Sequence, residues 1–329
     1  MSADQPANGR LIGPHLQLGR GLLRAADRAA EIGATTAQVF TDNPTAWRRR
    51  TELPADLAAF RERLAQHGVG QLAVHAPYLV NLCGPDPDFW QRSVETAAHE
   101  LRVGRAYGAA FVNFHIGSHR GVGRQEGLRQ LGRGLRRVLD LVDPGDAGAT
   151  PDGDDLPRLV LENSPGSGDG IGASLEDLAD ILDAAAHESA DAARIWFCLD
   201  TAHLWSAGHA IDEPGGADRL ADRLDQLVGR EKVVMLHLND AQTVRGSRVD
   251  RHQHIGAGRI GQAALRELLC HPWLATLPTY LETPGMDIGY DAVNLERVGL
   301  LLAGESLPEL PPEAFAPRAG RSRSAPPPE

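Results

Sequence analysis

Histidine, aspartate and glutamate recur at the ends of short apolar runs: His75, His115, Glu162, Asp200, His237 and Glu282 each close or nearly close one. Two further segments carry the same side chains. Asp200-Thr-Ala-His203 adds a histidine three residues on, and Asp250-Arg-His252 places a carboxylate and an imidazole on one face of an extended segment. A lone strand-end carboxylate is ordinarily a helix cap, a duty that Asp200 before Thr201 suits. A lone strand-end histidine is ordinarily a hydrogen-bonded rim residue. Nine such residues converging on one rim are another matter, because several buried carboxylates would lack partners unless a cation neutralised them. The pattern predicts a metal centre.

Imidazole nitrogens and carboxylate oxygens without a thiolate suit zinc, and equally manganese or iron. At roughly three to four ligands per ion, nine ligands imply more than two ions, especially where one carboxylate bridges. Clustered divalent ions with open positions activate water and clamp a phosphate for in-line displacement. Phosphodiester hydrolysis is therefore the expected chemistry.

Other chemistries are disfavoured. Lys232 is the only lysine among 329 residues and sits just before an apolar run, which argues against a P-loop and against Schiff-base catalysis. Gly256-Ala-Gly258-Arg-Ile-Gly261 matches the dinucleotide pattern but follows a loop, not a strand. Ser164 and Ser167 lie in Asn163-Ser-Pro-Gly-Ser-Gly, which is no nucleophile elbow. Cys83, Cys198 and Cys270 form no CxxC pair and leave one over, so reduced thiols fit better than disulfides. The net charge of -11 means that any nucleic-acid binding needs a local basic surface.

The elements that must carry these residues follow from periodicity. Apolar runs at 11–15, 37–41, 71–75, 110–115, 158–162, 195–200, 233–238 and 279–282 alternate with amphipathic Ala/Leu/Arg-rich stretches such as 22–32, 57–67, 90–107 and 126–142. Eight strands, each followed by a helix, predict one (β/α)8 TIM barrel over residues 11–303, whose site lies at the strand C-termini. Residues 1–10 read as a flexible N-terminus and 304–329, rich in Pro, Arg and Ser, as a disordered tail. The acidic stretch 143–157 reads as a long loop on the bottom face. No apolar run approaches a membrane span, and the first ten residues do not read as a secretory signal, so a cytoplasmic protein is expected.

The motifs carry a resemblance. Asn113-Phe-His-Ile-Gly-Ser-His119, Leu161-Glu-Asn163, Cys198-Leu-Asp-Thr-Ala-His203, His237-Leu-Asn-Asp240, Gly246-Ser-Arg-Val-Asp-Arg-His252 and Leu281-Glu-Thr283 stand in the order seen in one family. Over roughly residues 11–298 the chain resembles the endonuclease IV family of apurinic/apyrimidinic endonucleases. That resemblance implies three zinc ions, with manganese or iron as alternatives at one of them. His75, His115 and Glu162 would hold one ion; Asp200, His237 and Glu282 a second, with Glu162 bridging; His203, Asp250 and His252 a third. It also implies cleavage of duplex DNA 5′ to abasic sites by metal-activated hydroxide, leaving a 3′-hydroxyl and a 5′-deoxyribose phosphate. Clearing of blocked 3′ ends goes with it. Glu162, Glu282 and His115 take the catalytic roles, and no obligate protein partner is implied.

For DNA contact, Asn43-Pro-Thr-Ala-Trp47 resembles the family's penetrating loop, but Thr45 stands where an arginine wedge is common and Asp42 where a lysine is common. Trp47 and the arginines Arg48, Arg49 and Arg50 are the candidates there. Tyr78 and Leu79 match the second penetrating element and would fill the gap left by an extruded abasic sugar. Arg248 and Arg251 are candidate phosphate contacts. His15 ends the first strand without a carboxylate nearby in sequence, which suits a supporting role.

Two rivals remain. Metal-dependent sugar isomerases on related barrels share a set resembling Glu162, Asp200, His237 and Glu282, but a single-metal sugar site has no need of the other five residues. A catalytically silent damage-binding protein would be expected to lose ligands, and none is lost.

Overall fold

The computed structural model describes residues 9–142 and 156–315. Eight parallel strands close into a barrel: β1 (Ile12–Leu16), β2 (Gln38–Val39), β3 (Ala73–His75), β4 (Phe111–His115), β5 (Arg158–Glu162), β6 (Ile195–Asp200), β7 (Val233–His237) and β10 (Thr279–Leu281). The circle runs β1-β10-β7-β6-β5-β4-β3-β2 and closes through β2 back to β1. Helices α1 (Leu22–Glu31), α2 (Leu57–Gln66), α3 (Pro87–Tyr107), α4 (Arg124–Val142), α5 (Leu175–His187), α6 (Thr201–Ala207), α7 (Gly216–Leu227), α8 (Gly261–Cys270) and α9 (Tyr290–Ala303) follow the strands. The expected TIM barrel is the fold.

Side chains alternate along each strand, so every second residue faces the barrel axis. Ala73, Phe111, Val160, Cys198, Val234, Met235 and Tyr280 form a small inner core, separate from the large outer core that packs strands on helices. Two residues above this inner layer stand His75, Asn113, Glu162, Asp200, His237 and Glu282. The barrel thus has an apolar floor and a polar deck, related by the strand period of two. Register holds the deck level: His75 pairs with Asn113, His115 with Glu162, and Asp200 with His237. A register shift between Phe197 and Cys198 against β7 keeps Asp200 opposite His237.

Helix ends are specified locally. Asp86 caps α3, accepting from the Phe89 amide at 2.8 Å, and Gly108 ends it in the left-handed conformation. Ser174 and Asp177 form a capping box on α5.

The strands at 37–41 and 71–75 prove shorter than expected. The first covers Gln38–Val39 and the second Ala73–His75, and the backbone of Gln71 at φ +48° keeps that residue out of the extended run. The antiparallel ribbon β8 (Asp240–Ala241) with β9 (His252–Gln253) has no counterpart in the periodicity, its strands being only two residues long. Gly256-Ala-Gly258-Arg-Ile-Gly261 gains a structural explanation here. Asp240 accepts from the amides of Gly258 and Ile260, each at 2.9 Å, and a Cβ at Gly258 would collide with Asp240 and the Ala241 carbonyl.

Residues 304–315, read from composition as part of the tail, pack on the barrel: Pro308 accepts from Arg297, and Ala314 from His254. Residues 1–8, the acidic stretch at 143–155 and residues 316–329 lie outside the described residues. Among the described residues no helix is long and apolar enough to cross a membrane.

Candidate metal centre

Among the described residues three groups of potential ligand atoms gather on the deck, each with its atoms within 4.8 Å of one another: His75, His115 and Glu162; Glu162, Asp200, His237 and Glu282; and Asp200, His203 and His252. Glu162 belongs to two groups through different oxygens. Its Oε2 lies 3.5 Å from His75 Nε2 and 3.8 Å from His115 Nε2, and its Oε1 lies 3.3 Å from His237 Nδ1. His237 Nδ1 also approaches Glu282 at 3.4 Å and Asp200 at 3.9 Å. Asp250 completes the outer edge, 3.3 Å from His203 Nε2 and 3.2 Å from His252 Nε2, with its side chain 44% exposed at the mouth.

Asp200 does two jobs. One oxygen caps α6, accepting from the His203 amide at 2.8 Å, while the other faces His252 at 3.5 Å. The capping duty expected of it and the ligand geometry are compatible because the carboxylate has two oxygens.

Second partners fix which imidazole nitrogen faces inward. Nδ1 donates to a backbone carbonyl in His75 (Ala76, 2.7 Å), His203 (Asn163, 2.8 Å) and His252 (Glu282, 3.0 Å), leaving Nε2 as the inward lone pair. His237 is reversed: Nε2 donates to Gln38 Oε1 at 3.0 Å and Nδ1 faces the carboxylates. A ring of carboxamides orients the acids in turn. Asn113 donates to Glu162 at 2.5 Å, Asn239 to Asp200 at 2.6 Å and Gln38 to Glu282 at 2.6 Å; Asn163 accepts from the Asp200 amide at 2.6 Å.

Buried atoms left without a hydrogen bond include Glu162 Oε1, His203 Nε2, His237 Nδ1 and His252 Nε2, all on the inward face. Imidazole lone pairs pointed at carboxylate oxygens repel unless a proton or a cation lies between. The donor set of nitrogens and carboxylates fits divalent ions such as zinc.

The charges agree with that arrangement. Burial opposes charge on Glu162, yet the imidazoles of His237, His203 and His75 beside it hold its carboxyl well below the ordinary range. Burial likewise opposes charge on His252, but Asp200 and Asp250 outweigh it and push the ring up to about 9. His203 and His237 are raised well above the usual value against the same burial, His203 chiefly by Asp200 and Asp250, His237 by Cys198, Glu282 and Glu162. The site attracts positive charge, and a metal ion entering it must displace protons.

Tyr78 stands at the rim, 53% exposed, its ring 5.5 Å from that of His75 and 5.6 Å from that of His115. Leu79 beside it is half-buried. Arg48, Arg248 and Arg251 are the remaining expected phosphate contacts; the backbone of Arg248 is held at φ +57°, its carbonyl accepting from the Ser167 hydroxyl at 2.6 Å. Trp47 is half-buried and packs edge-on against Phe89 with ring centroids 5.0 Å apart, so it supports its loop from within.

Arg49 corrects the expectation of a surface cation. Its side chain is only 9% exposed, faces Glu100 at 3.6 Å and donates to the carbonyls of Asn43 (3.1 Å) and Ala46. The loop carries no regular structure, and Arg49 is consumed in satisfying its carbonyls. Asp42 closes the same loop by accepting from the Asn43 and Arg50 amides. His15 gains the carboxylate it lacked in sequence: Glu282 lies 3.7 Å away, brought across by the β1–β10 pairing. Gln38 had no signal of its own, since an inward glutamine on a two-residue strand reads as a polar interruption. Asn113, Asn163 and Asn239 stood within the motifs, each beside a ligand or two residues from one.

Residues 26–298 match the family described as a xylose isomerase-like TIM barrel, which sets the class. Within that class the chain is 32% identical over 288 residues, 88% of its length and 97% of the relative, to the probable endonuclease 4 of Haloquadratum walsbyi. It is 36% identical over 277 residues, 84% of its length and 93% of the relative, to the probable endonuclease 4 of Nitratidesulfovibrio vulgaris. The crystal structure of endonuclease IV from Thermus thermophilus aligns with a TM-score of 0.75 at 32% identity, covering 89% of this chain and 99% of that one. The chain belongs to the endonuclease IV family and is a DNA-cleaving hydrolase.

Proposed function

We propose that this enzyme incises duplex DNA 5′ to abasic sites, leaving a 3′-hydroxyl and a 5′-deoxyribose phosphate, and clears blocked 3′ ends, using three zinc ions. The observation that carries the reading is the division of Glu162, whose two oxygens face two different groups of ligands. A carboxylate so placed suits a bridge between two cations. His203, Asp250 and His252 would hold the third ion, with Asp200 also facing His203 and His252. Manganese or iron in place of zinc at one position also suits these donors. Zinc ions there would supply a water of lowered pKa and Lewis acidity for the phosphodiester oxygens.

The chain's own residues do the rest. His75, His115, Glu162 and Glu282 frame the part of the deck beneath Tyr78, where the scissile phosphate would lie. Gln38 and Asn113 keep Glu282 and Glu162 aimed at that space. Tyr78, with its apolar ring above His75 and His115, suits stacking into the gap beside an extruded abasic sugar, with Leu79 behind it. Arg48, Arg248 and Arg251 serve as phosphate contacts on the approach. The five ligands beyond Glu162, Asp200, His237 and Glu282 favour hydrolysis over the one-metal sugar isomerase reading.

The test is incubation of the purified protein with duplex DNA carrying one abasic site, with and without prior chelation, followed by metal analysis and end-group mapping. Incision 5′ to the site that chelation abolishes is expected, with about three zinc equivalents per chain. No metal-dependent incision would overturn the proposal.

A further inference from the structure

We infer that residues 304–315 act as a strap that positions Asp250 and His252 by locking the backbone that follows them. The inference rests on reading those two residues as metal ligands.

The contacts converge on one short stretch. His254, fully buried and two residues past His252, donates from Nε2 to the Ala314 carbonyl at 3.0 Å, while its Nδ1 accepts from Asn294 at 2.9 Å. The Ile255 carbonyl accepts from Arg297 Nε at 2.6 Å, and Arg297 Nη1 donates onward to the Pro308 carbonyl at 2.7 Å. Leu307 lies over Gly256, which has φ +69° and where a Cβ would collide with the leucine. The ring of Phe315 stands edge-on to His254 at 6.1 Å. Two buried donors, His254 and Arg297, therefore depend on strap carbonyls, and undocking the strap would leave both without those acceptors.

The other side of the ligands lies nearer the solvent. Between β8 and β9 the chain makes an excursion in which Val244 and Val249 are exposed and Asp250 is half-exposed. The excursion is tied to its surroundings by hydrogen bonds, the carbonyls of Thr243, Arg248 and Val249 accepting from Trp205 Nε1 (2.8 Å), Ser167 Oγ (2.6 Å) and Ser206 Oγ (3.0 Å), and His252 itself is held by its Nδ1 bond to the Glu282 carbonyl, by Gln242 on its own carbonyl and by the short ribbon. A segment held near the surface by hydrogen bonds, with its valines exposed, opens locally at lower cost than the barrel strands, so the anchor at its far end matters. The strap fixes that end, which makes His254 and Leu307 positioning residues for the third group of ligands.

The experiment compares full-length Leu307→Asp, Phe315→Ser and the double variant with the wild type. None of these side chains touches a ligand. Zinc-loaded protein is challenged with the chromogenic chelator 4-(2-pyridylazo)resorcinol, and metal-free protein is followed by amide hydrogen exchange. In the double variant one zinc equivalent should leave about tenfold faster while the remainder are retained, and amides 251–256 should lose protection. Wild-type zinc release and wild-type protection at 251–256, in a variant whose own strap amides exchange freely, would overturn the inference. Should wild-type protein hold no third zinc equivalent, the ligand reading itself fails; faster exchange at 251–256 in the metal-free variant would still support the strap, and unchanged exchange would overturn it.

Discussion

Gln38 donates to Glu282 Oε1 at 2.6 Å while its own carbonyl oxygen accepts from His237 Nε2 at 3.0 Å. One neutral side chain thus fixes a carboxylate and the tautomer of an imidazole in the same group of ligands. Gln38→Leu is expected to lower metal affinity or incision by about 10- to 100-fold. Gln38→Glu is expected to do worse, because it replaces the donor facing Glu282 with a second negative charge. Metal retention and kcat measured on both variants check this, and wild-type values for Gln38→Leu would remove the orienting role.

Glu162→Gln is expected to abolish incision, whereas His203→Ala leaves residual activity, because Glu162 faces two groups of ligands and His203 only one. Single-turnover rates on an abasic duplex compare the two. Equal residual activity would argue against a bridging carboxylate.

Arg49 and Glu100 should act as a unit that shapes loop 41–50, since Glu100 also accepts from Thr41 at 2.7 Å. Arg49→Met is expected to raise Kd for abasic DNA by roughly tenfold, about 1.4 kcal/mol, with kcat at saturation nearly unchanged. Adding Glu100→Gln to that variant should cost little more, as a double-mutant cycle would read out. Additive losses would show the two to be independent.

Thr45 is exposed, with its amide and hydroxyl both bonded to Asn43 Oδ1 at 3.0 and 2.9 Å. Thr45→Arg is expected to tighten abasic-DNA binding by roughly fivefold, about 1 kcal/mol, with a steeper salt dependence. Titrations at two salt concentrations test it, and an unchanged Kd would show that this loop stays outside the duplex.

Asp177 supplies the pH dependence easiest to isolate from the metal site. Burial opposes its charge, but Arg124 and the amides of Ser174 and Gly172 prevail and hold the carboxyl below its ordinary value. A depressed folded pKa means stability present above the unfolded value and lost as pH falls through the folded one. Asp177→Asn should therefore lower stability at pH 7 by a cap's worth of about 1 kcal/mol, seen as a lower Tm, and the gap to wild type should narrow towards about pH 3. A gap that stays constant with pH would assign the loss to the hydrogen bonds alone.

What could be read from the chain before folding depended on whether a residue's role was set by its own strand. His75, His115, Glu162, Asp200 and His237 end their strands, and all but His115 follow an inner apolar residue two positions earlier, so periodicity alone placed them on one deck. Gln38 could not be read that way, because β2 is two residues long and its meaning comes from Glu282, 244 positions away. Arg49 looked like a surface charge in a run of three, and only the carbonyls of its loop and the buried Glu100 show otherwise. The docking of residues 304–315 was hidden by their composition, since Pro-rich segments without periodicity resemble tails even where a few carbonyls are gripped by buried donors.

The two-residue offset between floor and deck also bears on how this enzyme can change. A substitution such as Val160→Ala or Cys198→Val alters volume beneath Glu162 or Asp200, in a layer with no solvent to absorb the strain. Variants there would tilt ligands without touching them, so selection for thermal robustness in the floor and selection for turnover act on the same few side chains. Outer helices that carry no site residue, such as α2, escape that linkage, and drift in their packing is free to proceed where the inner layer is not.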